Sequence, residues 1–90
     1  MGEKLIIVKG TVQGVGFRYF ACRKAKQFNI SGYVRNLPDG GVEILGRGED
    51  TDLDNFISIV KKGPFGSYVK TCEINDSSEN IEYNDFVIKT

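Results

Sequence analysis

Residues 9–18, with the sequence KGTVQGVGFR, decide how the rest of the chain is interpreted. They follow the apolar run at residues 5–8 and carry glycines at positions 10, 14 and 16 ahead of Arg18. The β-branched run predicts a strand, and glycines after a strand allow backbone N–H groups to converge on an anion. Arg18 would lie in the first turn of the next helix, where a guanidinium can hold two phosphate oxygens. The segment therefore predicts a phosphate-binding loop, and a glycine-rich connection beside a solvated arginine is the alternative.

Composition restricts the classes of protein to which the chain can belong. Its 90 residues predict a single domain over residues 1–90, and 12 basic against 12 acidic residues offer nucleic acid no net attraction. There is no apolar run long enough to span a bilayer and no signal-peptide core, so we expect a cytoplasmic protein. Cys22 and Cys72 form no C-x-x-C pair and the chain has no histidine. Two packed free thiols are therefore expected rather than a metal site or a redox couple.

Hydrophobic periodicity predicts two helices and the strands around them. Phe17, Ala21, Ala25 and Phe28 recur at helical spacing, with basic residues on the other face. Residues 33–37 and 42–45 predict a hairpin around the turn Pro-Asp-Gly-Gly at residues 38–41. Further strands are predicted at residues 68–74 and 83–88, with an extra strand pairing or bend near Ile81 left open. The order β-α-β-β-α-β predicts an α+β fold with both helices on one face of an antiparallel sheet of four or five strands.

The acidic segment at residues 49–54 allows more than one interpretation. Its alternating aspartates resemble the start of a calcium loop, but Asn55 occupies the sixth position and Lys61 the twelfth. They also resemble the motif of haloacid dehalogenase phosphatases, whose fifth position is threonine or valine, whereas this chain has Asp54. The apolar stripe that follows favours a third interpretation, a helix whose first turn carries acidic residues.

The predicted fold brings two polar side chains to one edge of the sheet. The first and second strands run in the same direction with the third between them, so their carboxyl ends lie about 9.6 Å apart. The glycine loop and Arg18 leave the first of these ends, and Asn36 lies at the second. Asn36 alone could serve the adjacent proline turn. Its convergence with the loop makes it a candidate site residue.

Two strings in the chain resemble acylphosphatases: residues 10–20, with V-Q-G-V-G-F-R, and residues 32–40, with Y-V-R-N. The resemblance covers almost the whole chain, and residues 76–80 are the least similar part. It implies a ferredoxin-like α/β sandwich that hydrolyses acyl phosphates without a metal or other cofactor. It also implies that Arg18 binds the phosphate and that Asn36 holds the attacking water. By position, the phosphate cradle would comprise Gln13, Gly14, Val15, Gly16, Phe17 and Arg18.

The residue types fit that chemistry. An acyl phosphate releases a carboxylate, which is stable as an anion near neutral pH and needs no proton donor. An alkyl phosphate would gain from a general acid, yet the chain has no histidine and only Asp39 as a carboxylate within the two strings. The expected substrate is therefore a small acyl phosphate.

Other functions remain as alternatives to hydrolysis. One is a non-catalytic small-molecule or RNA-binding ferredoxin-like module, because residues 15–20 weakly resemble the glycine–aromatic signature of RNA-recognition motifs. We expect Phe17 and Phe20 to belong to the core instead, with no nucleic-acid or membrane partner and a monomeric protein. Another is a small-molecule-sensing or carbamoyl-transfer accessory domain within a larger protein. The free-standing chain favours an independent enzyme instead. The glycine spacing fits neither a dinucleotide fingerprint nor a nucleotide P-loop.

Overall fold

Five strands and two helices make up the computed structural model, which describes residues 1–79 and 82–90. The elements are β1 (Gly2–Thr11), α1 (Phe17–Gln27), β2 (Ser31–Asn36), β3 (Val42–Gly48), α2 (Asp50–Lys62), β4 (Tyr68–Asp76) and β5 (Phe86–Lys89). This order confirms the predicted α+β fold. The strand pairing or bend that was left open near Ile81 lies outside the described residues.

The strands form one sheet in the order β4-β1-β3-β2-β5. Both β1 and β2 pair antiparallel with β3, so they run in the same direction on either side of it, as predicted. The β1–β4 pair is also antiparallel, but β2 and β5 pair in parallel. The predicted antiparallel arrangement therefore holds for three pairs, and the sheet as a whole is mixed. The parallel pair arises because the chain leaves β4 at one edge and reverses direction before it adds β5 at the other edge.

The core lies between the sheet and the two helices. Phe56 of α2 meets Phe86 of β5 edge to face, with ring centroids 6.0 Å apart. Phe17 is 1% exposed and packs against Phe20. RNA-recognition motifs need aromatic rings on an open sheet face. The burial of Phe17 confirms its predicted place in the core, whereas Phe20 is only partly buried. The buried residues of the sheet and helices include Ile6, Val8, Val34, Ile44, Ala21, Ala25, Leu53, Ile57 and Val60.

The acidic segment begins helix α2, as the third interpretation predicted. Asp50 and Asp52 lie in the first turn, where negative charge complements the positive end of the helix dipole. Lys61 and Lys62 occupy the last turn. Directly after the helix, the N–H of Gly63 donates to the carbonyl of Ile59. Charges of both signs therefore stabilise α2 at its ends.

The two cysteines are free thiols that are each partly buried, as predicted. The thiol of Cys22 donates to the carbonyl of Phe86 over 3.5 Å. Burial raises the pKa of Cys72, so its thiol is protonated at neutral pH. In the part of the chain that the structure describes, neither helix has the length and apolar character needed to cross a membrane.

Candidate active site

The loop that joins β1 to α1 is shorter than the glycine-rich segment of the sequence. Strand β1 continues to Thr11, so Gly10 lies inside it, where the pairing with β4 shifts register between Lys9 and Gly10. The loop itself comprises residues 12–16. Two of the three glycines, Gly14 and Gly16, therefore shape the loop, and the third permits an irregularity in the strand.

Gly14 and Gly16 give the loop its conformation. Their φ angles are 75° and 77°, in the left-handed region that residues with a side chain avoid. A Cβ atom at either position would meet no other atom within 4 Å. The backbone angle, and not crowding, is therefore what favours glycine here, and the space in front of the loop is open.

The amino-terminal end of α1 is suited to bind an anion. Gly16 is its N-cap and supplies no side-chain cap, and the first turn contains no acidic residue but does contain Arg18. Within residues 1–79 and 82–90, no backbone carbonyl accepts a hydrogen bond from the N–H groups of residues 14–18. Unpaired N–H groups at the positive end of a helix attract negative charge. In this respect α1 is the opposite of α2, whose own aspartates fill that role.

Gln13 connects the loop to the turn that follows β2. Its side-chain nitrogen Nε2 donates to the carbonyl oxygens of Leu37 and Gly41, each at 2.8 Å. Both side-chain donors are thus occupied, so a part for Gln13 in an anion cradle would have to use its backbone N–H. The sequence contains no local signal for this contact, because the acceptors lie 24 and 28 residues away.

Arg18 contacts the last strand of the sheet. Its Nη1 atom donates to the carbonyl oxygen of Lys89 over 3.3 Å. Strand β5 lies beside β2, with Ile88 opposite Val34 and Lys89 opposite Arg35. The carboxyl end of β5 therefore reaches the same edge of the sheet as Asn36. No local pattern in the sequence places this strand at the site, because the pairing of β5 with β2 spans more than fifty residues.

These elements surround one depression of about 390 Å³. Asn36 is exposed at the end of β2, and Arg18 is partly buried in the first turn of α1. Five of the predicted site residues line the depression: Gly14, Gly16, Phe17, Arg18 and Asn36. Gln13 and Val15 do not. The remaining lining residues, which were not among the predicted site residues, are Val12, Tyr19, Ile88 and Thr90.

The carboxylate of Asp39 belongs to the turn. It accepts a hydrogen bond from the N–H of Gly41 at 2.9 Å and forms an ion pair with Lys9 at 3.2 Å. The hydrogen bond from Gly41, followed by the contact with Lys9, lowers the pKa of Asp39. A carboxyl group with a lowered pKa is ionised at neutral pH and cannot serve there as a proton donor.

Comparisons with known proteins identify the family. A family model described as acylphosphatase matches residues 4–88. A curated acylphosphatase of Archaeoglobus fulgidus is 51% identical over 78 residues, which cover 86% of this chain and 88% of that protein. The crystal structure of an acylphosphatase from Bacillus subtilis covers 100% of both chains with a TM-score of 0.95 and 39% identity.

The same fold also occurs as part of a much longer protein. The crystal structure of HypF from T. kodakarensis aligns with 99% of this chain at a TM-score of 0.88 and 37% identity, but the match covers only 12% of that chain. The family model and the curated relatives span nearly the full length of this chain. On these findings, the chain belongs to the acylphosphatase family.

Proposed function

We propose that the protein hydrolyses acyl phosphates to a carboxylate and inorganic phosphate by direct attack of water. In this proposal Arg18 and the backbone of the loop hold the phosphate, and Asn36 holds the water. The observation that carries it is the shared depression, which brings together Gly14, Gly16, Arg18 and Asn36 from two separate segments of the chain. Membership of the acylphosphatase family supports the same reaction.

The phosphate would bind at the amino-terminal end of α1. Transfer of a phosphoryl group proceeds through a loose transition state with charge spread over the peripheral oxygens. The N–H groups of residues 14–18 have no backbone acceptor among the described residues and could donate to those oxygens. The guanidinium of Arg18 has five N–H groups, and the contact with Lys89 uses one of them. The others provide the planar pair of donors that two phosphate oxygens require.

Asn36 would align the attacking water. The carbonyl oxygen of its amide can accept a hydrogen bond from water while the NH₂ group donates to a neighbouring phosphoryl oxygen. The amide does not act as a base, and its contribution is orientation for an in-line attack. The water oxygen forms a bond to phosphorus, the bond from phosphorus to the acyl oxygen breaks, and the carboxylate leaves with its electron pair. An acyl phosphate dianion and water thus give a carboxylate and dihydrogen phosphate, so both protons of the water remain on the phosphate product.

This reaction has no step that requires a general acid. The leaving carboxylate is stable without protonation, and Asp39 is engaged in its turn. An alkyl phosphate would release an alkoxide, for which a positioned acid contributes about 10²–10⁴-fold. The proposal therefore includes a preference for acyl phosphates over alkyl phosphates.

The test is a hydrolysis assay on the purified protein with acetyl phosphate and glycerol 3-phosphate, each with and without EDTA. We expect acetyl phosphate to be cleaved at a rate that EDTA does not change, and glycerol 3-phosphate to be cleaved at least about 100-fold more slowly. Cleavage of acetyl phosphate no faster than in buffer would refute the proposal. A strict requirement for Mg²⁺ would refute its metal-free form.

A further inference from the structure

Two exposed hydrophobic side chains line the depression that contains Arg18 and Asn36. Tyr19 lies directly after Arg18 in the first turn of α1 and is 74% exposed, and Ile88 lies on β5 and is 41% exposed. Gly14 and Gly16 line it from the loop together with Val12, which is only 1% exposed, and Asn36 lines it from β2. The depression is therefore polar around Arg18 and Asn36, and apolar along its α1 and β5 walls.

We infer that Tyr19 is the residue that contacts the acyl group of the substrate and favours apolar acyl groups, aromatic ones above all. This inference rests on the proposed function. The phosphate of an acyl phosphate would occupy the loop and Arg18, so the acyl group must extend along a wall of the same depression. Among the described residues that line it, Arg18 is the single charged side chain. An acyl group that carries its own negative charge would find no second cation there.

The direction of attack selects Tyr19 over Ile88. In-line displacement places the leaving group across the phosphorus atom from the attacking water. Asn36, which would hold that water, lies on β2, and Ile88 lies on the neighbouring strand β5. Tyr19 instead lies on α1, the helix that supplies Arg18. The acyl group therefore leaves along the wall formed by α1, where the tyrosine ring offers it a flat apolar surface.

The contact should act on substrate binding and not on the chemical step. The acyl group touches Tyr19 before and during cleavage in the same way, so the contact stabilises the ground state and the transition state equally. Loss of such a contact raises KM and leaves kcat unchanged. Contact between two aromatic rings changes affinity by roughly three- to tenfold.

The test compares benzoyl phosphate with acetyl phosphate as substrates of the full chain. The measured quantity is the ratio of their kcat/KM values in the unmodified protein, Tyr19→Ala and Tyr19→Phe. Phe65→Ala is the matched control, because Phe65 is a fully exposed aromatic residue outside the depression. Ile88→Ala tests the wall formed by β5. The inhibition constant of inorganic phosphate, measured for each variant, reports whether the phosphate site is intact.

We expect Tyr19→Ala to lower the benzoyl-to-acetyl ratio about three- to tenfold through KM, and Tyr19→Phe, Phe65→Ala and Ile88→Ala to keep the ratio of the unmodified protein. An unchanged ratio in Tyr19→Ala, or an equal fall in Ile88→Ala, would overturn the inference while acyl phosphate hydrolysis itself stands. If the unmodified protein cleaves neither substrate, the proposed function fails, and the inference fails with it.

Discussion

The side-chain nitrogen of Gln13 lies 2.8 Å from the carbonyl oxygen of Leu37, the residue that follows Asn36. The same nitrogen donates to the carbonyl of Gly41 at 2.8 Å, and the N–H of Leu37 donates to Gly41 as well. The loop before α1 is thus bonded directly to the turn after β2. A single amide side chain thereby ties the anion-binding loop to the segment that carries Asn36.

Replacement of Gln13 by alanine should therefore separate the two halves of the site. We expect Gln13→Ala to lower kcat/KM for acetyl phosphate by about tenfold or more, because small misplacements of reacting groups are costly. Loss of the two hydrogen bonds should lower the free energy of unfolding by about 1–3 kcal/mol, because each is worth about 0.5–1.5 kcal/mol. Urea denaturation and steady-state kinetics measure the two effects. Gln27→Ala, at the last residue of α1, is the control, and normal activity in a folded Gln13→Ala protein would contradict this role.

Arg18 should be needed as an arginine and not only as a positive charge. We expect Arg18→Ala and Arg18→Lys both to reduce hydrolysis below detection, because lysine has no planar pair of donors for two phosphate oxygens. Loss of one fixed donor in such a site already costs about 10²–10³ in rate. The exposed Arg23 of the same helix provides the control variant Arg23→Ala. Substantial activity in Arg18→Lys would show that charge alone suffices.

Asn36 should affect turnover more than phosphate binding. We expect Asn36→Ala to reduce kcat by about 10² or more and to leave the inhibition constant of inorganic phosphate within a fewfold, because the amide orients water and does not carry the phosphate. Circular dichroism would establish that the fold is retained. The exposed Asn84, at the far end of the sheet, serves for the control Asn84→Ala. Near-normal turnover in the folded Asn36 variant would remove this residue from the mechanism.

The N-cap of α1 should tolerate asparagine better than alanine. Gly16 has φ 77° and ψ 20°, where a Cβ atom costs about 1–2 kcal/mol and asparagine is one of the few residues found routinely. We expect Gly16→Ala to be less stable than Gly16→Asn in urea denaturation and to bind inorganic phosphate more weakly. Equal stability of the two variants would indicate that the loop rearranges when glycine is replaced.

Glu43 should make the free energy of unfolding depend on pH in the acidic range. Its carboxylate accepts hydrogen bonds from Nε of Arg35 at 2.6 Å and from the hydroxyl of Tyr33 at 2.9 Å. Burial raises the pKa of Glu43, but the hydrogen bonds from Arg35 and Tyr33 outweigh it and leave the pKa below its ordinary value. A carboxyl group whose pKa is lowered in the folded state stabilises the protein at pH values above its pKa in the unfolded state, which is about 4.3 for glutamate. This stabilisation is lost as the pH falls through the pKa of the folded state.

The variant Glu43→Gln should therefore be less stable than the unmodified protein at pH 6–7, and the difference should shrink towards pH 3. Urea denaturation across this range measures it. Glu73→Gln is the control, because Glu73 is exposed and its carboxylate accepts a hydrogen bond only from the neighbouring Asn75 among the described residues. A difference for Glu43→Gln that stays constant from pH 3 to pH 7 would contradict the role of its ionisation.

The sequence predicted the features that local chemistry determines. The spacing of Phe17, Ala21 and Ala25 placed α1 correctly, and the acidic first turn with the apolar stripe after it placed α2 correctly. The convergence of Arg18 and Asn36 followed from the strand order, since β1 and β2 flank β3 and run in the same direction. The resemblance to acylphosphatases then named the same two residues. Their roles in catalysis stay predictions until the variants are measured.

Other features depend on contacts between distant residues, and no local pattern encodes them. The predicted first strand covered residues 5–8, whereas β1 runs from Gly2 to Thr11. Its first residues are held by pairing with β3 and its last residues by pairing with β4. The parallel pairing of β5, the contact between Arg18 and Lys89, and the bonds of Gln13 all join segments far apart in the chain. Each of them became visible only once the strands were assembled.

Strands β4 and β5 follow one another in the chain but lie at opposite edges of the sheet. The chain must therefore cross the width of the sheet after β4. Only then can the four-residue β5 pair and the carbonyl of Lys89 contact Arg18. Contacts of this kind close slowly, because the entropy of the intervening chain is lost before any pairing compensates for it. During refolding, the recovery of enzymatic activity would therefore report when β5 pairs with the sheet. Spectroscopic signals from the core would report the earlier collapse.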